Sequence, residues 1–140
     1  CGLWGHVNVF EVPVEKLMFS HVMLGVNDLE KSKKFYDAVL GTLGIGPGLA
    51  NGNRYFYRSP TGNFAITLPI NGKPATHGNG STIGFAVKSV EQGNAFHAAG
   101  VANGGTTAED PPGIREASKI YLAYLRDPDG NKICALYRPG

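Results

Sequence analysis

The chain is poor in the residues that would assign it to several protein classes. It has 2 cysteines, one of them at position 1, too few for the disulfide framework of a small secreted domain. No apolar run approaches the ~18 residues that a membrane-spanning helix needs. The net charge is only +2 and the basic residues are scattered, so nothing indicates a nucleic-acid surface. With 42% hydrophobic and 17% charged residues among 140, the composition predicts one globular domain.

Glycine and proline, by contrast, are plentiful. The 20 glycines and 9 prolines predict short elements joined by tight turns. Residues 1–17 lack the basic-then-apolar order of a signal peptide, and Met18 opens a stretch that reads like a natural start. We therefore expect an N-terminal extension over 1–17, expression-derived or upstream, and a single domain over 18–140.

The chain also contains an internal repeat. Residues 21–26 and 82–87 both alternate large aliphatic with other side chains, which predicts β-strands. Each is followed by a helix-like stretch, 27–40 and 89–99, at a constant offset of 61 residues. The predicted helix caps are Asn27 or Asp28 and Ser89 at the N-terminal ends, and Gly41 and Gly100 at the C-terminal ends.

A second repeat lies downstream of each helix. Arg-Ser-Pro-Thr-Gly-Asn at 58–63 matches Arg-Asp-Pro-Asp-Gly-Asn at 126–131, and both predict hairpin turns between strand-like runs. The offset here is 68, so the second half contains an insertion, which we place in the Gly/Pro-rich stretch 103–113. The two units, 18–72 and 80–138, are too small to hold a core each, so we expect them to share one.

Two tandem βαβββ units with these sequences resemble the vicinal oxygen chelate superfamily. Residues 21–41 are similar to the family's first strand and helix, and Asp127-Pro-Asp-Gly130 to its closing hairpin turn. That group includes glyoxalase I, fosfomycin-resistance enzymes, extradiol dioxygenases and bleomycin-binding proteins. The resemblance implies an α+β fold of curved mixed sheets, with helices on the convex side and a ligand cup on the concave side. It also implies a cytoplasmic homodimer, with each cup built within one chain or across the dimer.

In the metal-using members of this family, four strand positions supply the ligands. The first corresponds to His21, a match. The second falls on Ile66, or on Thr67 if the register shifts by one residue, and neither can be an imidazole or carboxylate ligand. The third is Thr82 and the fourth is Cys134. We therefore expect no catalytic metal, although His77, in the glycine-rich loop 71–80, could complete a divalent-metal site by folding over the cup.

Other side chains are candidates for binding an organic ligand. Arg58 and Arg126 occupy equivalent ends of the two turns and could hold an anion, or could be surface ion-pairing residues. A two-residue hairpin at Pro128-Asp129 would pair Cys134 with Ala123 and put Tyr121 on the same face. The strand tyrosines form two pairs, Tyr55 with Tyr57 and Tyr121 with Tyr124, and one phenol of each pair should face the cup. The full candidate binding set is His21, Tyr57, Arg58, Ile66, Thr67, His77, Thr82, Tyr121, Arg126 and Cys134.

These residues favour a protein that binds a small neutral or anionic molecule without the family's metal. The alternative is a metal-dependent enzyme, similar to lactoylglutathione lyase or a dioxygenase, with a non-standard ligand set around His21. His21 is also the candidate general base, or else a hydrogen-bonded structural residue. A protein–protein module that keeps only the fold is the third possibility, and a filled cup would favour it. We expect neither nucleic acid nor a membrane as partner.

Overall fold

The computed structural model describes residues 18–140, so the predicted extension over 1–17 lies outside the described residues. The first unit consists of β1 (His21–Gly25), α1 (Leu29–Gly41), β2 (Leu49–Asn51), β3 (Arg54–Tyr57) and β4 (Asn63–Thr67). The second consists of β5 (Ile83–Ala86), α2 (Val90–Ala102), β6 (Thr106–Thr107), β7 (Gly113–Ile114), β8 (Tyr121–Arg126) and β9 (Lys132–Tyr137). Neither helix is of a length and hydropathy that could cross a bilayer.

Side-chain caps begin both helices where the sequence predicts them. The Asp28 carboxylate accepts a hydrogen bond from the Lys31 amide at 3.1 Å, and the Ser89 hydroxyl accepts one from the Gln92 amide at 3.0 Å. Helix α1 ends at Gly41 as expected, but α2 continues past Gly100 to Ala102. The prediction at Gly100 is wrong because this glycine serves packing instead. A Cβ there would lie 2.5 Å from Leu125 of the adjacent sheet.

Each unit forms one mixed sheet, so the α+β expectation is confirmed. The strand order is β1-β4-β3-β2 in the first sheet and β5-β9-β8-β6 in the second, where β7 also pairs with β8. Strands β1 and β4 run parallel, as do β5 and β9, whereas the hairpin pairs are antiparallel. Parallel pairing requires a crossover between the strands, and each unit's helix lies in that crossover.

A single hydrophobic core joins the two units, as their size predicts. It lies between the helices and one face of each sheet, and it is rich in aromatic rings. The ring centroids of Phe64 and Phe85 are 5.5 Å apart across the unit boundary, and those of Phe85 and Phe96 are 5.8 Å apart within the second unit. The fully buried core side chains include Phe35, Tyr36, Leu40, Tyr57, Ile66, Phe96, Tyr121, Leu125 and Ile133.

A buried carboxylate holds the closing turn of the second unit against α1. Asp127 accepts hydrogen bonds from the Tyr36 hydroxyl at 2.6 Å, from the Asp129 amide at 2.9 Å, and from the amide and side chain of Asn131 at 2.9 Å each. Burial, followed by the Asp127 charge, raises the pKa of Tyr36 well above its ordinary value. Tyr36 is therefore a protonated hydrogen-bond donor at neutral pH.

The same turn is connected to the end of β1 and to the loop between the units. Asp129 accepts hydrogen bonds from the amide and side chain of Asn27 at 3.1 and 2.9 Å, and from Ser32 at 3.2 Å. The Asn27 side chain in turn accepts from the Ala75 amide at 2.7 Å. We name this set of contacts between the Asp127–Asn131 turn, α1 and the interunit loop the closed junction.

The register of the last hairpin differs from the one predicted. Arg126 pairs with Lys132, so five residues rather than two connect β8 and β9. Gly130 adopts a φ of 89°, and the Asp127 amide bonds to the Asn131 carbonyl at 2.8 Å, which is the geometry of a turn with a glycine bulge. An odd connection inverts the side-chain parity. Cys134 therefore pairs with Tyr124, and the predicted pairing with Ala123 is wrong.

Candidate functional site

The face of the second sheet that points away from the helices carries a polar and cationic cluster. We name this face the open face. It presents Tyr124, Cys134, Lys132 and Arg126 together with the exposed small residues Gly84 and Ala86. The small residues leave the face shallow there, since a Cβ on Gly84 would meet Cys134 at 3.5 Å and little else. The aromatic and basic side chains rise from the neighbouring strands.

Tyr124 lies between two cations. The Lys132 ammonium is 4.8 Å from the ring centroid, and the Arg115 guanidinium carbon is 6.0 Å from it. Arg115 is held there by carbonyl oxygens of its own loop, because it donates to Pro111 at 2.7 Å, to Asp110 at 3.2 Å and to Gly113 at 3.3 Å. The guanidinium is thus fixed over the ring by backbone contacts.

Burial sets the protonation states within this cluster. It raises the pKa of the Cys134 thiol, and the Glu109 carboxylate adds to that effect while Lys132 opposes it. Burial also raises the pKa of Tyr124, with further contributions from Cys134 and Glu109. Both groups are therefore protonated at neutral pH. Cys134 is therefore a buried thiol without the thiolate character of a nucleophile.

Beside this cluster lies a small basic pocket of about 210 Å³. Its walls include His77, Arg126, Lys132 and residues 78–81 of the interunit loop. Arg126 donates one hydrogen bond to the Gly130 carbonyl at 2.8 Å, and Lys132 forms an ion pair with Glu109. The His77 ring packs on Gly130 so closely that a Cβ there would lie 2.7 Å from Nδ1. A glycine is therefore needed at position 130 both for its φ and for the approach of His77.

Several of the predicted site residues lie on the core side instead. The phenol of Tyr57 donates to Asp37 at 2.8 Å and that of Tyr121 to Asn94 at 2.7 Å, both on the helices. Burial raises the pKa of both tyrosines. Ile66 is fully buried in the same core. The expectation that Tyr121 shares the face of Cys134 is wrong, because the five-residue turn shifts the pairing by one position.

The expectation of one cup-facing tyrosine per pair holds for only one pair. Tyr55 and Tyr57 are two residues apart, so both point towards α1, where Tyr55 donates to Glu30 at 2.7 Å. In β8 the facing residue is Tyr124 and the core residue is Tyr121, which is the reverse of the predicted candidate.

The remaining predicted residues are dispersed. His21 is exposed at the start of β1, with Nδ1 2.9 Å from the Ser20 hydroxyl. Thr67 accepts from Arg54 at 3.2 Å and donates to the Leu68 carbonyl at 2.7 Å. Thr82 is exposed before β5. Arg58 and Arg126 border different cavities, so the structure does not bring the two guanidinium groups to one site.

The four strand positions do not form a donor set for a divalent metal. Met23 pairs with Ala65 in the first sheet as Gly84 pairs with Cys134 in the second, so Ala65 rather than Ile66 or Thr67 is the counterpart of Cys134. The set is then one imidazole, one methyl, one hydroxyl and one protonated thiol. Within residues 18–140, no group of three or more His, Cys, Asp or Glu side chains could hold a metal ion. His77, the residue proposed to complete a site, instead borders a pocket with two cations, which disfavours a metal ion there.

The sequence analysis did not select Tyr124, Lys132, Arg115 or Glu109. Tyr124 and Lys132 follow from Cys134 once the turn is counted as five residues, and Gly130 before Asn131 was the available signal for that count. Arg115 and Glu109 lie in the excursion between β6 and β8, whose path depends on long-range pairing of β7 with β8. Local sequence carries no comparable signal for them.

Comparison with known proteins gives one family. The model of the Glyoxalase/Bleomycin resistance protein/Dioxygenase superfamily matches residues 18–135. A glyoxalase/bleomycin resistance protein from Albidiferax ferrireducens T118 is 79% identical in sequence, with a TM-score of 0.84 over 87% of this chain and 99% of that one. A search of curated proteins gives no match.

More distant structures share the fold alone. A putative glyoxalase from Bacillus halodurans is 18% identical, with a TM-score of 0.72 over 87% of this chain and 96% of that one. A glyoxalase-related enzyme from Fulvimarina pelagi is 24% identical, with a TM-score of 0.67 over 86% of this chain and 87% of that one. Because one scaffold supports unrelated chemistries, activity has to be argued from the site itself.

Proposed function

The chain belongs to the glyoxalase/bleomycin resistance protein/dioxygenase superfamily, and within it we propose a protein that binds a small organic anion without a catalytic metal. The binding site is the open face of the second sheet around Tyr124, together with the adjoining basic pocket. One observation carries the proposal. Tyr124 lies between Lys132 and Arg115 on a face that is otherwise shallow and accessible.

The charges around this face favour an anion over a neutral or cationic ligand. Arg115, Lys132 and Arg126 contribute three positive charges, and Glu109 is the acid paired with Lys132. The anionic group of the ligand enters the basic pocket, where guanidinium and ammonium groups can bind a carboxylate or phosphate. The apolar part of the ligand packs against the edge of the Tyr124 ring, whose faces the two cations approach. The raised pKa values of Tyr124 and Cys134 make both groups hydrogen-bond donors towards the ligand.

Benzoate binding, measured by isothermal titration calorimetry, tests the proposal. Benzamide serves as the neutral ligand of similar shape. We expect benzoate to bind more tightly than benzamide, and Lys132→Gln to weaken benzoate by about tenfold, since a hydrogen bond to a charged group contributes roughly 1.5–3 kcal/mol. Lys34→Gln, on the exposed side of α1, is the matched control and should leave the affinity unchanged. Equal binding of benzoate and benzamide, or no effect of Lys132→Gln, would overturn the proposal.

A separate measurement tests the metal-free part. The protein is purified without chelator, and bound metal per chain is measured before and after addition of Ni²⁺, Mn²⁺, Zn²⁺ or Fe²⁺. We expect no stoichiometric metal. One metal per chain that is lost in His21→Ala would instead support a lyase or dioxygenase with a non-standard ligand set. The homodimer and the cytoplasmic location stay predictions, and light scattering after size-exclusion chromatography tests the first.

A further inference from the structure

A second cavity of about 710 Å³ lies where the first unit's turn faces the second unit. We name it the interunit groove. Its borders are the 58–63 turn, the segment after α1 around Leu43 and Ile45, and the strand β5 with Lys88 at its end. Among the described residues it shares no lining residue with the basic pocket, and it meets the open face at Gly84 and Ala86 without including Tyr124, Lys132 or Arg126. Its volume is within the range of 300–1,000 Å³ in which small-molecule sites fall.

The floor of the interunit groove is apolar. Val22, Phe64, Ile83 and Phe85 line it from β1, β4 and β5, and most of these side chains are only half-buried. Phe19 lies at its edge with 61% of its surface exposed. Covering this water-exposed apolar surface with an apolar ligand lowers the free energy of the system, so the floor favours binding of an apolar group.

The rim of the groove is cationic. Arg58 and Lys88 line it, both exposed, and within residues 18–140 no aspartate or glutamate lines it. Among the described residues neither side chain takes part in an ion pair, the pairs being Lys33–Asp37, Lys119–Glu116 and Lys132–Glu109. The hydroxyl and amide groups of Ser59, Thr61 and Asn63 stand on the same side. The rim thus offers two uncompensated positive charges above an apolar floor.

We infer that the interunit groove binds an amphipathic organic anion, with its apolar chain on the floor and its carboxylate at Arg58 and Lys88. A purely apolar ligand would leave the two cations without a partner, and a cationic ligand would be repelled by them. The site differs from the open face in its ligand, since the floor here is an extended apolar surface rather than a single aromatic ring. It does not depend on the proposed function.

Decanoate is the probe, with decan-1-ol and decyltrimethylammonium as neutral and cationic controls of similar chain length. Binding is measured by isothermal titration calorimetry on the full chain. We expect decanoate to bind more tightly than either control. The double variant Arg58→Gln, Lys88→Gln should weaken decanoate at least tenfold while leaving decan-1-ol unchanged. The matched control, Lys34→Gln with Arg138→Gln, removes two exposed charges elsewhere and should leave decanoate binding unchanged.

A steric variant provides an independent test. Gly46 lines the groove, a Cβ there meets nothing within 4 Å, and its φ lies outside the left-handed region, so Gly46→Trp can place its ring in the cavity without backbone strain. Gly41 at the end of α1 is equally open and lies outside the groove, which makes Gly41→Trp the control. We expect only Gly46→Trp to abolish decanoate binding.

Any of four results would overturn the inference: equal affinity for decan-1-ol and decanoate, unchanged decanoate binding by Gly46→Trp, competition between benzoate and decanoate, or no binding of decanoate. If decanoate does not bind and Gly46→Trp converts a dimer into a monomer in light scattering, a second copy of the chain covers the groove instead. If decanoate binds and benzoate does not, the proposed site on the open face is wrong and the inference about the interunit groove stands.

Discussion

The two units meet at two places that are equivalent in the repeat, yet one is closed and the other is open. At the closed junction, the Asp127–Asn131 turn bonds to α1 through Tyr36 and Ser32. At the other, the 58–63 turn faces β5 and Lys88, just before α2, across the interunit groove. Equivalent turns therefore make polar contacts to a helix in one place and border a cavity in the other.

The substitutions between the repeats explain the difference. Asp127 and Asp129 of the closed junction correspond to Ser59 and Thr61 of the open one. Their partners on α1 are replaced as well, because Tyr36 corresponds to His97 and Ser32 to Gly93. His97 contacts Thr107 of its own unit at 3.0 Å, and burial lowers its pKa, so it is a neutral side chain rather than a partner for the opposite turn. Ser59 and Thr61 instead form hydrogen bonds within their own turn, and Gly93 has no side chain to donate one.

The comparison teaches that one polar junction is sufficient to hold the units in register. A buried carboxylate with four donors is costly to form but specific in geometry. With the units fixed there and by the shared core, the equivalent site can remain open to a ligand. Stability and binding are thereby assigned to different copies of one motif.

The largest effect is expected from breaking the closed junction. Asp127→Ala leaves the buried Tyr36 hydroxyl and the Asn131 amide without their acceptor, and should lower the free energy of unfolding by about 3 kcal/mol or more, as for other buried polar groups left unpaired. Chemical denaturation measures it. Ser59→Ala, the equivalent change at the open junction, removes contacts only within its own turn, to Gly62 and Thr61, and should cost less than about 1 kcal/mol. Equal losses in the two variants would contradict the assignment of stability to the closed junction.

A smaller loss of stability is expected from adding a methyl group to α2 at Gly93 than from breaking the closed junction. At position 93, where α1 has Ser32, helix α2 has a glycine, and a Cβ there would lie 2.2 Å from the Tyr121 ring. Tyr121 is fully buried and cannot withdraw easily. Gly93→Ala should therefore destabilise the protein by about 1–3 kcal/mol, the usual cost of overpacking, although alanine is the better helix former. Thermal unfolding measures it against Gly41→Ala, where the added methyl meets nothing within 4 Å. A stabilised Gly93→Ala protein would show that α2 can move away from its sheet.

The sequence predicts the elements and turns of both units but not the strand register that decides which side chains face the site. Strand and helix periodicity, the caps at Asp28 and Ser89 and the positions of both turns follow from local chemistry, and the structure confirms them, but not the predicted length of the second turn. The side of the sheet on which Cys134 lies could not be predicted from local sequence, because it depends on whether the preceding turn has an even or an odd number of residues. A single glycine bulge decides that count and inverts the face of every residue beyond it.

The candidate site was predictable only in part. His77, Arg126 and Cys134 lie at or beside it, whereas Tyr57, Ile66 and Tyr121 lie in the core. Arg115 reaches Tyr124 through a loop held by its own carbonyl oxygens, and no periodic pattern reports such a path. Charge clusters built by loops therefore require the structure, although the strands that carry them do not.

The smallest expected effect concerns a tether that only the first unit has. Asp37 accepts hydrogen bonds from Lys33 at 2.6 Å, Tyr57 at 2.8 Å and the Gly48 amide at 3.0 Å, while its counterpart in α2 is Ala98. Burial alone would raise the pKa of Asp37, but these hydrogen bonds outweigh burial and hold the pKa below its ordinary value. The folded state therefore favours the ionised form, and the stabilisation is present above the unfolded pKa of about 4.

Asp37→Asn should lower the free energy of unfolding by only about 1 kcal/mol at pH 7, since the asparagine oxygen still accepts from Tyr57 and solvent screens the Lys33 pair. The sign of the pH dependence follows from the lowered pKa. The difference between parent and variant should stay constant above about pH 5 and disappear as the pH falls through the folded pKa of Asp37. Urea unfolding from pH 7 down to pH 3 measures it, with Lys34→Gln as a surface control. A difference that grows on acidification would mean that Asp37 is protonated in the folded protein and that the first unit has no ionic tether.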